Sequence, residues 1–160
     1  TSRLTGTFVH SVADQVVEIA AGWPVKEARE RLAIAGVCVP ALERFESGSI
    51  GGRLATVSSR HSGGQDGWTQ SLLAMRVALP DGEVLNFGSH CMKDVAGYDL
   101  RHLFTGSRGS VGVILRAAFR CRPRAEWSGP VQTLPSRIPG RYSPALRKIL
   151  DPKGRMRPGA

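Results

Sequence analysis

The sequence lacks several features that would assign it to a functional class directly. Its 160 residues include three cysteines, none in a Cys-x-x-Cys pair, which are too few for a four-thiolate iron–sulfur cluster. Its four histidines show no spacing typical of metal ligands, so we expect no metal site. No long apolar run is present, so we expect no membrane-spanning helix. The scattered cysteines favour a reduced, cytoplasmic compartment.

Acidic residues are scarce in the C-terminal part of the chain. Residues 1–100 carry 9 basic and 11 acidic side chains, whereas residues 101–160 carry 13 basic and 2 acidic ones. Such a basic segment suits a nucleic acid, an anionic membrane surface, or an acidic partner or cofactor. Aromatic residues do not alternate with the arginines as they do in nucleic-acid-binding modules, so nucleic acid is the weakest of these alternatives.

The order of the predicted elements indicates an α+β domain. β-Branched runs predict strands at 7–10 and 16–20, and apolar residues at helical spacing predict a helix from Pro24 to Ala35, ended by Gly36. The other predicted elements are a strand at 37–39, a polar loop at 41–48, a short helix after Gly52, a hairpin joining 72–79 to 84–87 through an Asp-Gly turn, helices at 97–104 and 145–150, and a strand at 113–121.

Three closely spaced glycines, Gly106, Gly109 and Gly112, precede the last predicted strand. Glycine lets a backbone come close to another surface, and a glycine-rich loop can present N–H groups to an anion. The spacing matches neither the P-loop nor the Rossmann fingerprint. From these residues alone, the simpler alternative is a tight turn that leads into a buried strand. We refer to residues 106–112 as the glycine loop.

Two parts of the sequence combine into a distinctive set of motifs. They are Phe87-Gly88, Met92-Lys93, Val95-Ala96-Gly97-Tyr98-Asp99, Gly106-Ser107, Gly109, Gly112-Val113-Ile114, Ser49-Ile50-Gly51-Gly52 and Leu54-Ala55-Thr56. On these residues the sequence resembles the FAD-linked oxidase family, whose flavin domain is of the vanillyl-alcohol-oxidase (PCMH) type, and within it the FAD-binding subunits of bacterial glycolate oxidases. The resemblance implies an α+β PCMH-type FAD-binding domain, mainly its second subdomain, that lacks the family's cap or substrate domain.

The resemblance also implies how the chain is divided. Residues 1–123 would form the FAD-binding domain, incomplete at its N-terminus because the family's pyrophosphate-binding glycine loop would precede Thr1. Residues 124–144, rich in proline, glycine and arginine, would be a linker in place of the cap domain. Residues 145–160 would form the C-terminal tail of the flavin domain.

The cofactor that the resemblance implies is FAD. Glycine-rich segments, whose backbone is not covered by side chains, would provide backbone hydrogen-bond donors and a narrow gap for the flavin. Ser49 would lie beside the pyrophosphate, and backbone groups of Val113 would hold the adenine end. Catalytic residues are not assigned, because in the family they lie largely in the cap and in a sister subunit. The implied cofactor-binding residues are Ser49, Ile50, Gly51, Gly52, Ala55, Ser59, Gly67, Gly109, Gly112, Val113 and Ile114.

Several positions depart from the family's pattern. Arg60 stands where the family usually has glycine, and its long side chain would close a pocket in which backbone normally meets flavin. Val57 replaces an expected asparagine, Gln70-Ser71 an Arg-Asp pair, and Ala74 a glycine.

Two functions from different classes therefore remain open. The first is an FAD-binding subunit of a glycolate-oxidase-like 2-hydroxyacid dehydrogenase, an oxidoreductase complex. The second is a non-catalytic docking subunit that kept the flavin-domain fold and lost FAD.

The first function implies a hetero-oligomer with a full-length FAD-linked oxidase subunit and an iron–sulfur subunit. Its expected location is the cytoplasm, with association at the inner face of the membrane only through those partners. A basic nucleic-acid-binding domain is the weakest hypothesis, and we expect no nucleic acid among the partners.

Overall fold

A computed structural model describes residues 4–57, 68–89, 100–127, 148–149, 151 and 153–155. The strands are β1 (Phe8–Ser11), β2 (Val16–Ala20), β3 (Val37–Cys38), β4 (Leu72–Ala78), β5 (Val84–Gly88), β6 (Val113–Arg120) and β7 (Arg122–Pro123). The helices are α1 (Val25–Ile34), α2 (Ile50–Thr56), α3 (Trp68–Ser71) and α4 (Arg101–Phe104), with 3₁₀ turns at Leu42–Arg44 and Arg124–Glu126.

Five of the strands form an antiparallel sheet in the order β1-β2-β6-β4-β5. The central strand, β6, pairs Phe119 with Val17 of β2 and Ile114 with Val77 of β4. These paired side chains all belong to the hydrophobic core, so the register places one face of the sheet inward. The two short strands β3 and β7 pair separately.

The first helix contributes to the same hydrophobic core and contacts β3 and the 3₁₀ turn at Leu42–Arg44. Its buried residues Val25, Ala28 and Leu32 recur at helical spacing, and Pro24 precedes the helix in an extended conformation. Gly36 follows the helix with φ of 72°, a left-handed conformation that glycine adopts without steric cost. The predicted helix and its ends are therefore confirmed.

The predicted hairpin between β4 and β5 is also confirmed. Leu79 N–H donates to the Glu83 carbonyl at 2.8 Å, and Glu83 N–H donates to the Asp81 carboxylate at 3.0 Å. Gly82 takes the positive φ of 98° that this turn requires.

The prediction of a polar loop at 41–48 is wrong for its first half. Ala41, Leu42, Glu43 and Phe45 are all buried around a 3₁₀ turn. The turn is buried because the Glu43 carboxylate is neutralised: Arg29 lies 2.8 Å from one oxygen, and Arg124 lies 3.0 Å from the other.

The short helix predicted after Gly52 begins at Ile50 instead, so both glycines of the pair lie inside it. Of the predicted helix at 145–150, residues 148–149 are described and are helical, and its other residues fall outside the described part of the chain. The first part of the predicted helix at 97–104 and nearly all of the predicted linker at 124–144 also fall outside it. The proposed division of the chain into three parts remains a prediction.

Candidate functional site

The first segment implied by the resemblance forms the start of α2. Ser49 is the N-cap residue, and its hydroxyl accepts a hydrogen bond from Gly52 N–H at 3.1 Å. Ile50 N–H donates to the Trp23 carbonyl at 2.9 Å, and Gly51 N–H donates to the Ala21 carbonyl at 2.8 Å. The start of α2 is thereby tied to the chain that leaves β2.

Gly51 allows this close contact between α2 and the end of β2. A Cβ added at Gly51 would lie 2.6 Å from the Cβ of Ala21, well inside the normal separation of carbon atoms. Gly52 differs, because a Cβ there would meet only the Ser49 hydroxyl, at 2.9 Å, and the residue faces solvent. Of this glycine pair, Gly51 is the one that packing requires.

The second segment, the glycine loop, lies against the opposite end of the same helix. Gly106 N–H donates to the Leu54 carbonyl at 2.9 Å, and Arg108 N–H donates to the Ala55 carbonyl at 2.7 Å. These are carbonyls of the last helical turn, which have no partner within the helix itself. The structure therefore brings together the two segments that the resemblance singled out about fifty residues apart in the chain.

Within the glycine loop, the glycines have different surroundings. Gly109 has φ of 75°, and a Cβ there would meet no atom within 4 Å. At Gly112, which is buried, a Cβ would lie 2.8 Å from Val77 and 3.1 Å from Phe104. Gly112 is thus needed for packing against β4, whereas Gly109 presents open space.

The remaining predicted residues also divide between surface and core. Val113 is 36% exposed at the start of β6, and Ala55 is half-buried beside the glycine loop. Ile50 and Ile114 are buried in the core. Ser59, Gly67 and the departure at Arg60 lie outside the described residues.

The backbone donors of both segments are largely engaged within the chain. Besides the bonds above, Arg53 N–H donates to the Ser49 carbonyl, Ser110 N–H donates to the Ser107 carbonyl, and Gly109 N–H donates to the Ser107 hydroxyl. A pyrophosphate needs free donors, so these amides do not fit that role as they stand. The small residues Gly52, which is exposed, and Ala55 and Gly109, which are partly exposed, do fit one apolar wall of a flat ring system.

Arg101 is a residue beside this site that the sequence did not single out. Its guanidinium donates to the carbonyls of Leu72 and Leu73, both at 2.6 Å. Gly88, with φ of 76°, leaves room for this contact, because a Cβ there would collide with the Leu73 carbonyl. No sequence pattern marked Arg101, since its acceptors lie almost thirty residues away.

Among the described residues, no group of three or more His, Cys, Asp or Glu side chains is arranged to hold a metal ion. No helix in the same part of the chain is long and apolar enough to cross a membrane.

Comparison with known proteins identifies the family. Residues 1–88 match the FAD binding domain family. The chain is 36% identical over 108 residues to the mitochondrial D-lactate dehydrogenase [cytochrome] of Arabidopsis thaliana, covering 67% of this chain and 18% of that protein. It is 30% identical over 115 residues to glycolate oxidase subunit GlcD of Bacillus subtilis, covering 64% of this chain and 24% of that protein.

A solved structure shows the same fold. Alkyldihydroxyacetonephosphate synthase superposes with a TM-score of 0.62 at 24% sequence identity, over 77% of this chain and 22% of that one. The chain thus spans about a quarter or less of the length of these relatives.

The chain belongs to the FAD binding domain family, within the PCMH-type FAD-linked oxidases, and FAD is the cofactor of this domain. The α+β fold class and the resemblance are both confirmed. The described residues contain no cap domain.

Proposed function

We propose that this chain is the FAD-binding part of a 2-hydroxyacid dehydrogenase of the glycolate oxidase type. Relatives that match it include dehydrogenases of D-lactate and D-2-hydroxyglutarate and a glycolate oxidase subunit. The structural observation that carries the proposal is the contact between the end of α2 and the glycine loop, formed by two backbone hydrogen bonds. This contact gives two glycine-containing segments one shared, solvent-facing edge.

In this proposal the solvent-facing residues of that edge contact the cofactor. Gly52, Ala55 and Gly109 would lie against FAD because their small size lets a flat ring approach. Ser49 and Ser107 hold backbone amides with their hydroxyls, and rotation of a hydroxyl would release an amide for phosphate. Val113, which is exposed at the start of β6, would hold the adenine end through its backbone groups. When bound, FAD supplies the two-electron oxidation chemistry.

The buried members of the predicted set have a supporting role in this proposal. Ile50, Gly51, Gly112 and Ile114 fix the two segments on the sheet, since all four are buried. Ser59 and Gly67 remain proposed cofactor contacts.

A second function, the docking subunit without FAD, is favoured by one observation. The amides of residues 50–53 at the start of α2 and of residues 106–110 in the glycine loop already have acceptors within the chain. A chain that had lost FAD would keep such internal bonds. Arg60, where the family has glycine, supports the same alternative.

An FAD titration of two matched variants tests the first proposal. Gly109→Asp and Gly82→Asp both replace a glycine of positive φ around which a Cβ meets no atom within 4 Å. Both changes therefore place a side chain on a backbone of positive φ and add one negative charge. Only Gly109 lies in the proposed site, where the new carboxylate would repel phosphate.

We expect Gly109→Asp to weaken FAD binding by at least about tenfold, equal to about 1.4 kcal/mol, and Gly82→Asp to change it by less than about twofold. Equal effects would remove the glycine loop from the site. A folded wild-type chain that binds no FAD at all would favour the docking subunit.

We also propose the wider assembly, with a full-length FAD-linked oxidase subunit and an iron–sulfur subunit as partners in the cytoplasm. The similarity to a protein described as a subunit and the strong positive charge of residues 101–160 support it. Co-expression with candidate subunits, followed by native mass measurement, tests it. A monomer of 17.2 kDa under all conditions would contradict the assembly.

A further inference from the structure

The first two residues of β4 lie beyond the paired part of the hairpin between β4 and β5. The last residue of β5, Gly88, is opposite Ala74, so no β5 residue faces Leu72 or Leu73. On the side of β6 the register shifts between Leu72 and Ala74, which makes Leu73 the extra residue of a β-bulge. Both leucines are buried, so their carbonyls need hydrogen-bond donors from outside the ladder between β4 and β5.

Arg101 supplies a donor to both carbonyls. Its Nη1 atom lies 2.6 Å from the Leu72 carbonyl and 2.6 Å from the Leu73 carbonyl. This atom carries two hydrogens, so it can serve both acceptors, and hydrogen bonds from a charged donor are stronger than those from a neutral one. A Cβ on Gly88 would lie 3.2 Å from the Arg101 Cδ, so glycine at that position also makes room for the arginine side chain.

The same arginine is the first residue of α4, the short helix that leads into the glycine loop. The last residue of α4, Phe104, is buried, and its ring centroid lies 5.0 Å from that of Phe87 in β5. Gly106 follows two residues later and donates to the Leu54 carbonyl of α2. The helix is thus held by a polar side chain at its start and by a ring at its end, and its direction sets where the glycine loop meets α2.

The contacts of α4 decide its orientation, because the helix has little stability of its own. A single helical turn fixes several dihedral angles for about one internal hydrogen bond. In α4 that bond runs from Thr105 N–H to the Arg101 carbonyl, at 3.2 Å. Without the two bonds from the Arg101 side chain, α4 is free to turn about the buried Phe104 ring and to carry the glycine loop away from α2.

We propose that Arg101 is a positioning residue for the FAD site. By binding the Leu72 and Leu73 carbonyls it fixes the direction of α4, and through α4 it holds the glycine loop against the end of α2. Arg101 itself does not contact FAD in this proposal. The inference rests on the proposed function, because it assumes that FAD contacts the edge shared by α2 and the glycine loop.

Three variants test this role. Arg101→Met removes the charge and the donors but keeps an apolar side chain, whereas Arg101→Lys keeps the charge and N–H donors on a shorter side chain. Arg116→Met is the matched control, because it removes the same charge together with a 2.7 Å ion pair to Glu18 in the sheet. For each variant, FAD affinity is measured by titration and the bound flavin by visible circular dichroism at saturating FAD.

The three variants should differ in FAD affinity. We expect Arg101→Met to weaken FAD binding by at least about tenfold, Arg101→Lys by about threefold and Arg116→Met by less than about twofold. The circular dichroism of bound flavin should change in Arg101→Met and stay unchanged in Arg116→Met, because it reports the geometry around the ring. A residue that only stabilises the fold would move neither measurement while the chain remains folded.

The possible failures are distinguishable. Wild-type FAD affinity and circular dichroism in folded Arg101→Met would overturn the positioning role and leave the FAD site in place. Equal losses in Arg101→Met and Arg116→Met would show a general charge effect and would overturn it as well. A wild-type chain that binds no FAD would overturn the proposed function and this inference with it. If Arg101→Met does not fold, wild-type affinity and circular dichroism in Arg101→Lys would overturn the proposal.

Discussion

Moving one methyl group across the contact between α2 and β2 tests how Gly51 positions the site. In the structure a Cβ on Gly51 would lie 2.6 Å from the Ala21 Cβ and 3.2 Å from the Ala21 carbonyl oxygen. Carbon atoms pack at about 3.5–4.0 Å, so the overlap is about 1 Å and involves atoms close to the backbone. Because the backbone fixes the positions of both Cβ atoms, no side-chain rotation relieves this overlap.

The expected free energies follow from this geometry. Overpacking a core lowers the free energy of unfolding by about 1–3 kcal/mol. Replacing glycine by alanine inside a helix raises it by about 1 kcal/mol. Gly51→Ala should therefore lower the free energy of unfolding by about 0–2 kcal/mol. Ala21→Gly alone should cost about 1–2 kcal/mol, because it removes a buried methyl group and frees the unfolded backbone.

The double variant Gly51→Ala/Ala21→Gly should be at least as stable as Ala21→Gly alone. The methyl group then occupies the space that Ala21 has vacated, and the helix gains propensity. Urea denaturation of the four proteins gives a coupling energy, which we expect to be about 1–3 kcal/mol. Gly52→Ala, in the same helix but exposed, is the control and should show no coupling to Ala21. Additive effects of the two changes would refute the packing role of Gly51.

Three further predictions concern stability. Glu43→Gln should cost about 1–3 kcal/mol in urea denaturation, because it leaves two half-exposed arginines without their buried carboxylate; an unchanged midpoint would contradict this. Burial, with a smaller contribution from the neighbouring Cys38, raises the pKa of Cys121 from 9.0 to about 12, so the unfolded thiol ionises first and stability should fall as pH rises from 9 towards 12. Cys121→Ala should remove that part of the pH dependence, and an identical slope in thermal melts would count against it. Gly88→Ala should lower the melting temperature far more than Gly82→Ala, since both have positive φ but only Gly88 faces a backbone carbonyl; equal shifts would exclude that contact as the cause.

Features set by neighbouring residues were predictable from the sequence. The helix between Pro24 and Gly36 follows from apolar spacing and the conformations that proline and glycine favour. The hairpin follows from its Asp81-Gly82 turn. In each case the interactions that decide the structure lie within a few residues of one another.

Features set by distant residues were not predictable. The sequence of residues 41–45 predicts a polar loop, because the partner that allows Glu43 to be buried is distant in the chain. Arg124, which binds the Glu43 carboxylate, lies 81 residues away. The presence of glycines in a segment also does not show whether its backbone approaches a ligand or another segment of the same chain. Gly51 and Gly112 approach strands of this chain, whereas Gly109 faces open space. The resemblance singled out two segments that the fold brings into contact, but only the fold distinguishes packing glycines from exposed ones.

The most direct test of FAD at this site is a map of backbone amides with and without FAD, by ¹H–¹⁵N correlation spectra of the labelled chain. We expect shifts concentrated at residues 49–56 and 106–113, which form the contact between α2 and the glycine loop. The hairpin amides at 81–83 should not move. Saturating FAD that leaves residues 49–56 and 106–113 unshifted in a folded chain would contradict the account.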